Sequence, residues 1–465
     1  MKHAISILFL LTLAAYASAQ PDPREMQSEL LIFEAPAVEI FTTDNGIKVV
    51  FLENHELPVV RLTMYFPGGG YYDQTLQVGL SEITASLLRS GGAGNKSAEQ
   101  VDEALDFLGA SISSGDEADR LTISMRTLKK DFAEVFAIMA DILTAPLFDS
   151  AKLEIEKSNR IDRIRRQFDS PTGATRHLFY KTVYDGHGYG NYPTITSVNA
   201  INQSLVKSQY KGKYKPNNCY LAISGDLSLD EIKQALSERL GKWSGPDVTD
   251  QTQKPLPPAK PGIYYAKKDI SQTSFRLGHR VSLFHNDDRH AARIMNYALG
   301  VGFTSRLTTK IRSEAGLAYS VGSYFVRRQM GGVFFSFCQS RADATGQALD
   351  MILEIITNVH ENGITEKEFK DSKEAILNSF VFEYETPHQI AEQVASDLLY
   401  GFAENQTELD LEALKAVTWK DCNRTAAEYL HPDSFVIVVV GDTARFDKPL
   451  SSFGKVNTLS LEIEE

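Results

Sequence analysis

Apolar residues along this chain recur in the periods of strands and helices, and the same order of periods occurs twice. In the first half, Val59–Phe66 reads as a strand and Val78–Ser90 as a buried helix. Ser97-x-x-Gln100 is a capping-box start for a helix whose apolar face is Val101, Ala104, Leu105 and Leu108. Leu121, Ile123 and Met125 alternate as in a half-buried strand, and Phe132, Val135, Phe136, Met139 and Leu143 follow at helical spacing. The second half repeats this order. Ser274–His279 reads as a strand, a helix starts at Arg289, and Val333, Phe335 and Phe337 alternate. A long helix then stops at Asn362-Gly363, and Thr365-x-x-Glu368 caps the next. Long helices on one side of an antiparallel sheet predict an α+β fold of two domains, each about 200 residues.

Independent anchors give one spacing between the halves. Pro216 precedes Gly225-Asp226 as Pro432 precedes Gly441-Asp442, with apolar strands Cys219–Ser224 and Phe435–Val440 between. The offset is 216 residues, and Pro171 and Pro387, each ending a long helical pattern, repeat it. Agreement of separate anchors argues for an internal duplication. Residues 245–262 hold five prolines without periodicity and read as the linker.

The first twenty residues read as an address. Lys2 and His3 precede an apolar run, Ala4–Ala17, too short to span a bilayer as a helix. Ala17-Ser18-Ala19 has the small-x-small form of a leader cleavage site, so residues 1–19 are expected to be a signal peptide. The mature chain is then periplasmic or secreted. No later apolar run is long enough to cross a membrane.

Composition narrows the function classes. The chain has 465 residues, 43% hydrophobic and 23% charged, so a globular protein is expected. Lys plus Arg is 48 against 60 Asp plus Glu, a net charge of −12 with no basic block, which argues against nucleic acid as a partner. Three cysteines, Cys219, Cys338 and Cys422, cannot all pair, and the first two read as buried thiols.

Two strings carry a family likeness. Ser305-Arg306-Leu307, followed by Ile311-Arg312-Ser313-Glu314-Ala315-Gly316-Leu317-Ala318-Tyr319-Ser320-Val321, resembles S-R-L…R-x-x-x-G-L-A-Y-S-V. That is the second-half signature of the pitrilysin/insulinase family of zinc metallopeptidases. The likeness runs from about Thr42 to Val440 and lies nearest the half-length branch that includes mitochondrial processing peptidase. It implies a peptidase-like domain over 27–244 and a second over 263–465.

Gly79–Leu88 resembles the family's G-L-A-H-x-x-E-H-M-L segment, with its chemistry gone. Two histidines one helical turn apart would share a zinc ion, with Glu as general base. Here Glu82 stands for the first His, Ala85 for the base and Ser86 for the second His. The family's third ligand is a Glu on the helix in Leu153–Phe168, where Asp162 is the nearest carboxylate. His285 and His290, five apart in a charged loop, do not make up the loss. The chain is therefore expected to bind no metal and need no cofactor of its own.

Arg312 and Tyr319 match the pair that, in the family, reaches the peptide bond being cut. A guanidinium and a phenol aimed at a developing oxyanion stabilise the transition state more than the substrate. The resemblance thus implies a zinc-free subunit of an exported heterodimeric peptidase. Its partner would be a homologous subunit carrying H-x-x-E-H and zinc, and its substrate a peptide. An inert structural or peptide-binding scaffold, and a self-sufficient metallopeptidase with atypical ligands, are the alternatives. Gly91–Ser97 is not a phosphate loop, because Asn95 replaces its required Gly. Gly300-Val301-Gly302 falls where the family's non-catalytic processing subunit has a longer glycine-rich loop.

Overall fold

The computed structural model of the chain describes residues 36–245, 256 and 258–465. The expected leader and most of the 245–262 linker lie outside the described residues. The first sheet contains β1 (Glu39–Thr42), β2 (Lys48–Glu53), β3 (Val59–Pro67), β4 (Ser111–Asp116), β5 (Arg120–Leu128) and β6 (Tyr220–Gly225). Its order is β1-β2-β6-β3-β5-β4, antiparallel except at β2–β6. The second contains β7 (Gly262–Lys267), β8 (Gln272–Val281), β9 (Ala318–Val326), β10 (Gly332–Arg341), β11 (Val436–Gly441) and β12 (Val456–Thr458). Its order, β12-β7-β11-β8-β10-β9, repeats the first over five strands. The two outermost strands differ in origin: β1 leads its half, whereas β12 returns from the end of the chain and pairs parallel with β7. Both sheets are therefore mixed, within the α+β class read from the sequence.

Among the described residues, eight α-helices belong to the first half. They are α1 (Leu80–Ser90), α2 (Ala98–Phe107), α3 (Phe132–Thr144), α4 (Ser150–Arg165), α5 (Pro171–Val183), α6 (Ile195–Ala200), α7 (Gln203–Lys213) and α8 (Leu229–Leu240). The second half supplies α9 (Arg289–Asn296), α10 (Thr345–Asn362), α11 (Glu366–Phe380), α12 (Pro387–Leu399), α13 (Gln406–Ala416) and α14 (Trp419–Tyr429). Both capping boxes read from the sequence form, at Ser97/Gln100 and Thr365/Glu368.

Pro171 and Pro387 do more than end helical patterns. Each is the first residue of a new helix, α5 or α12, where the missing N–H costs nothing. Those two helices are exchanged between halves. α12 lies on β2, β3 and β6, while α5 lies on β8 and β11. Ile390, Ala391, Val394 and Ala395 of α12 bury against Val50, Leu52, Tyr65 and Ala222. Leu178, Phe179 and Val183 of α5 bury with Val436, Val438 and Val440. Each sheet is thus covered on both faces, its second face by the other half's helix. The polar contacts of α12 agree: His388 lies 3.1 Å from Thr63 Oγ1 through Nε2 and 3.1 Å from Ser224 Oγ through Nδ1.

Cys219, Cys338 and Cys422 are buried, free thiols. Among the described residues no helix is long and apolar enough to cross a membrane.

One buried histidine makes the fold sensitive to acid. His279 of β8 donates from Nδ1 to the Arg280 carbonyl (2.8 Å) and accepts at Nε2 from the His431 N–H (3.2 Å). Burial pushes its pKa down to about 4. An unfolded histidine titrates near 6.5, so below that pH the unfolded chain binds a proton that the fold refuses. Stability from neutral His279 is present above about 6.5 and is lost as pH falls toward about 4. Urea unfolding at pH 7 and pH 4.5 should show a loss larger by about 2–3 kcal/mol in the parent than in His279→Gln. Equal losses in the two proteins would remove His279 as the cause.

Candidate functional site

The helix that would present zinc ligands is well anchored. Gly79, with φ of +101°, turns the chain into α1, a conformation that a side chain would strain. The buried Asp73 carboxylate accepts from the N–H groups of Gly79 (2.9 Å) and Ser81 (3.2 Å) and from Ser81 Oγ (2.6 Å). A carboxylate at a helix N-terminus satisfies otherwise orphaned donors. Leu80, Ile83, Ala85, Leu87 and Leu88 face the core, which turns Glu82 toward α4.

Glu82 meets cations there. Its carboxylate accepts from Arg160 Nη1 at 2.7 Å, and Arg163 Nη1 lies 3.2 Å away. Asp162, the carboxylate nearest in sequence terms, is exposed and pairs with Arg165 at 3.3 Å. The structure does not bring Asp162 to Glu82; Arg160, two positions before it, and Arg163, one position after, face Glu82 instead. Ala85 is buried, and its carbonyl accepts from Ser114 Oγ of β4. Ser86 is half-buried, and its carbonyl accepts from Ser90 Oγ.

Asp116, at the end of edge strand β4, completes this polar cluster. Burial, then the charges of Asp73 and Glu82, push its carboxyl up to about 8. Among the described residues its Oδ1 has no hydrogen-bond partner. Burial also pushes the Arg160 guanidinium down, while Glu82 opposes that shift. This donor set does not fit a zinc ion. Glu82 is engaged by two guanidiniums, which would repel a dication placed between α1 and α4, and Ala85 and Ser86 offer no imidazole. Among the described residues, no three His, Cys, Asp or Glu side chains converge as a metal site. His285 packs against Phe284 and Phe402, whereas His290 lies 3.4 Å from Asp410, so the two imidazoles serve different neighbours.

The second-half signature divides into a clamp and a presented pair. Arg306 donates through Nε and Nη2 to Glu368, each at 2.7 Å, and also reaches Asn358 Oδ1 (2.9 Å) and the Gly363 carbonyl (3.2 Å). It ties the end of α10 to the start of α11. Leu307 and Ile311 are buried beneath a π-helical turn, Thr308–Glu314. Gly316, with φ of +64°, then reverses the chain into β9.

Arg312 and Tyr319 emerge together from this frame. The Arg312 guanidinium carbon lies 5.6 Å from the Tyr319 ring centroid and 5.7 Å from that of Phe303. Two rings therefore flank one guanidinium, a favourable electrostatic arrangement. Tyr319 is 77% exposed and Phe303 82%. Among the described residues Arg312 has no carboxylate partner, so its donors remain available. Phe303 was not singled out from the sequence. Its one signal there is a large apolar residue two positions before the Ser305-Arg306-Leu307 string. Gly300 has a packing reason: a Cβ there would lie 2.2 Å from Ser323 Oγ.

Comparison with known proteins fits this geometry. The family model described as Insulinase (Peptidase family M16) matches residues 48–193. The model described as Peptidase M16 inactive domain matches residues 200–376. A Bacillus subtilis relative named as the uncharacterized zinc protease YmxG is 23% identical over 404 residues, covering 85% of this chain and 96% of the relative. A Helicobacter pylori relative named as a non-peptidase homolog is 25% identical over 391 residues, covering 81% and 88%. A crystal structure described as a peptidase M16 inactive domain from Pseudomonas fluorescens has a TM-score of 0.83 at 24% identity, covering 89% of this chain and 100% of that one. With two models of one family spanning most of its length and the duplicated fold in place, the chain belongs to the insulinase family, peptidase family M16.

Proposed function

We propose that this chain is the zinc-free subunit of an exported two-chain metallopeptidase, binding peptide and stabilising the transition state of its hydrolysis. The observation that carries the reading is a contrast between the two halves. Between α1 and α4 a guanidinium faces Glu82, whereas Arg312 and Tyr319 stand exposed and, among the described residues, unpaired by a carboxylate. A site kept only for packing would tend to spend its arginine on a salt bridge, as Arg306 does with Glu368. The inactive-domain description of one matching model and the non-peptidase name of the Helicobacter relative support a chain without its own peptidase centre.

On this reading a homologous partner with an intact H-x-x-E-H motif would hold the zinc and supply the base, and that zinc would activate water for attack. This chain's residues act on the other atom of the bond. As water oxygen adds to the carbonyl carbon, the carbonyl oxygen gains charge. Tyr319 Oη–H and the Arg312 guanidinium donate to it, and Phe303 and Tyr319 hold the guanidinium plane between them. Extended peptide would be held by strand addition at a sheet edge, where β4 and β9 are the outermost strands on one side. The leader-like first nineteen residues favour a periplasmic or secreted location.

The test is an assay of each chain alone and of the mixture, using a quenched-fluorescence peptide library. The expected result is no cleavage by this chain, with or without added zinc, and cleavage by the mixture above that of the partner alone. Cleavage by this chain alone with stoichiometric zinc would restore the self-sufficient peptidase. A partner whose activity is unchanged by this chain would favour the inert scaffold, the reading closest to the non-peptidase name.

A further inference from the structure

β9 carries Tyr319 near its start, and the residue just past its end is Arg327. Arg327 lines a cavity of about 560 Å³ together with Arg289, Arg293, Tyr297, Tyr324 and Tyr384. The other two arginines are engaged: Arg289 pairs with Asp410 at 2.6 Å, and Arg293 pairs with Glu383. Among the described residues Arg327 has no ion pair or hydrogen bond. Its neighbour Arg328 is consumed differently, lying over the rings of Tyr180, Tyr184 and Tyr189. Three guanidiniums thus line one cavity together with Glu383 and Asp410, which are engaged by Arg293 and Arg289, and among the described residues the third guanidinium has no ion pair.

Arg327 is exposed, so its donors are open to a ligand. Partial desolvation in the cavity wall, then Arg289, push the Arg327 guanidinium pKa down, while Asp410 and Asp397 oppose that shift. Burial pushes the nearby Asp397 carboxyl up to about 7, so near neutral pH it carries only part of a charge toward Arg327. A guanidinium offers a planar fork that matches a carboxylate through two parallel hydrogen bonds. The tyrosines around it supply flat apolar walls for the atoms that carry the carboxylate.

We infer that this cavity is a subsite for a peptide carboxylate, with Arg327 as the group that binds it. The inference rests on the proposed function for the identity of its ligand, a peptide. Eight residues separate Tyr319 from Arg327, about 26 Å along a strand. An extended substrate whose bond is cut at Arg312 and Tyr319 then presents to Arg327 a group about eight residues away. The carboxylate comes either from an Asp or Glu side chain or from the peptide's C-terminus.

The experiment measures binding by the purified full chain alone, by fluorescence anisotropy, with three labelled ten-residue peptides of one neutral core sequence. One has a free C-terminal carboxylate, one is amidated with a single Glu near its end, and one is amidated with Gln in that place. At least one acidic peptide should bind about tenfold or more tightly than the Gln peptide, as a hydrogen-bonded charge requires. The acidic peptide that gains identifies the source of the carboxylate. Arg327→Gln should erase the gain and leave the Gln peptide's affinity unchanged. Arg327→Lys, which keeps the charge and loses the fork, should retain only part of it and serves if the Gln variant folds poorly. Equal affinity for all three peptides, or a preference that survives Arg327→Gln, overturns the subsite. Cleavage plays no part in the measurement, so failure of the two-chain reading would leave a carboxylate preference standing, and loss of the preference would leave the two-chain reading untouched.

Discussion

Arg312→Ala and Tyr319→Phe should each lower kcat of the two-chain mixture about 100-fold, with little change in the amount of complex formed. Removal of one oxyanion donor from a preorganised site typically costs 10²–10³ in kcat, about 2.7–4 kcal/mol. Both side chains are exposed, so neither truncation opens a cavity. Nor does either break an ion pair among the described residues. Folding and assembly therefore have no reason to suffer. The two donors serve one oxygen, so the double variant should fall short of the product of the single effects. Phe303→Ala should act more weakly, by about threefold, because an exposed cation–π contact is worth about 0.5–1 kcal/mol and Tyr319 still flanks the guanidinium. Large kcat losses at Arg312 and Tyr319 beside a small one at Phe303 separate an oxyanion site from a generic peptide surface, where loss of an aromatic ring would raise KM first. Full turnover by the Arg312→Ala/Tyr319→Phe double variant would end the catalytic role of this chain.

How far these residues could be read from the sequence depended on the kind of signal. The strands and capped helices were legible because their signals are local: alternation at Leu121, Ile123 and Met125, and capping boxes at Ser97 and Thr365. The exchange of α5 and α12 was not read, although part of its signal was present. Val436–Gly441 is buried at every position, and its sequence runs apolar without alternation, as a strand covered on both faces must. Pro171 and Pro387 were read only as stops. A proline suits the first turn of a new helix as well as the end of an old one, and tertiary contacts decide between them.

The site was legible by type more than by partner. A helix pattern places Asp162 and Arg160 close together in sequence, yet they project in different directions, and only packing of α4 on α1 selects Arg160 to meet Glu82. Arg306 and Arg312 lie in one signature and look equivalent in sequence. Glu368, sixty-two positions beyond Arg306, makes one a clamp and leaves the other free. Phe303 and Arg327 carry no motif, and their significance is geometric: a ring against Arg312, and a guanidinium without an anion.

The ion pair between the zinc-motif helix and its neighbour should prove to be a substitute for the missing cation, and its loss should be felt in stability. Arg160→Ala is expected to destabilise the first half by about 2 kcal/mol at pH 7. Breaking a buried pair commonly costs about 3–5 kcal/mol. The lower figure allows for the 20% and 29% of the Arg160 and Glu82 side chains that remain exposed, and for Arg163, which still faces Glu82. Without Arg160 the charge of Glu82 is less compensated, and Asp116 loses the positive charge that, with the Gly70 N–H, opposes its upward shift. The pH dependence carries a definite sign. Asp116 titrates near 8 in the fold and near 3.9 unfolded, so the fold binds a proton that the unfolded chain releases, and stability falls as pH rises between those values. Removing Arg160 raises the folded value further, which makes the loss larger at pH 8 than at pH 5. Urea unfolding at those two pH values measures it. The double variant Glu82→Leu/Arg160→Leu should recover most of the stability at both, because an apolar pair of similar volume avoids desolvating either charge. An Arg160→Ala protein as stable as the parent at pH 8 would mean that the guanidinium compensates nothing. The likeness between this pair and a ligated metal would then be one of position alone.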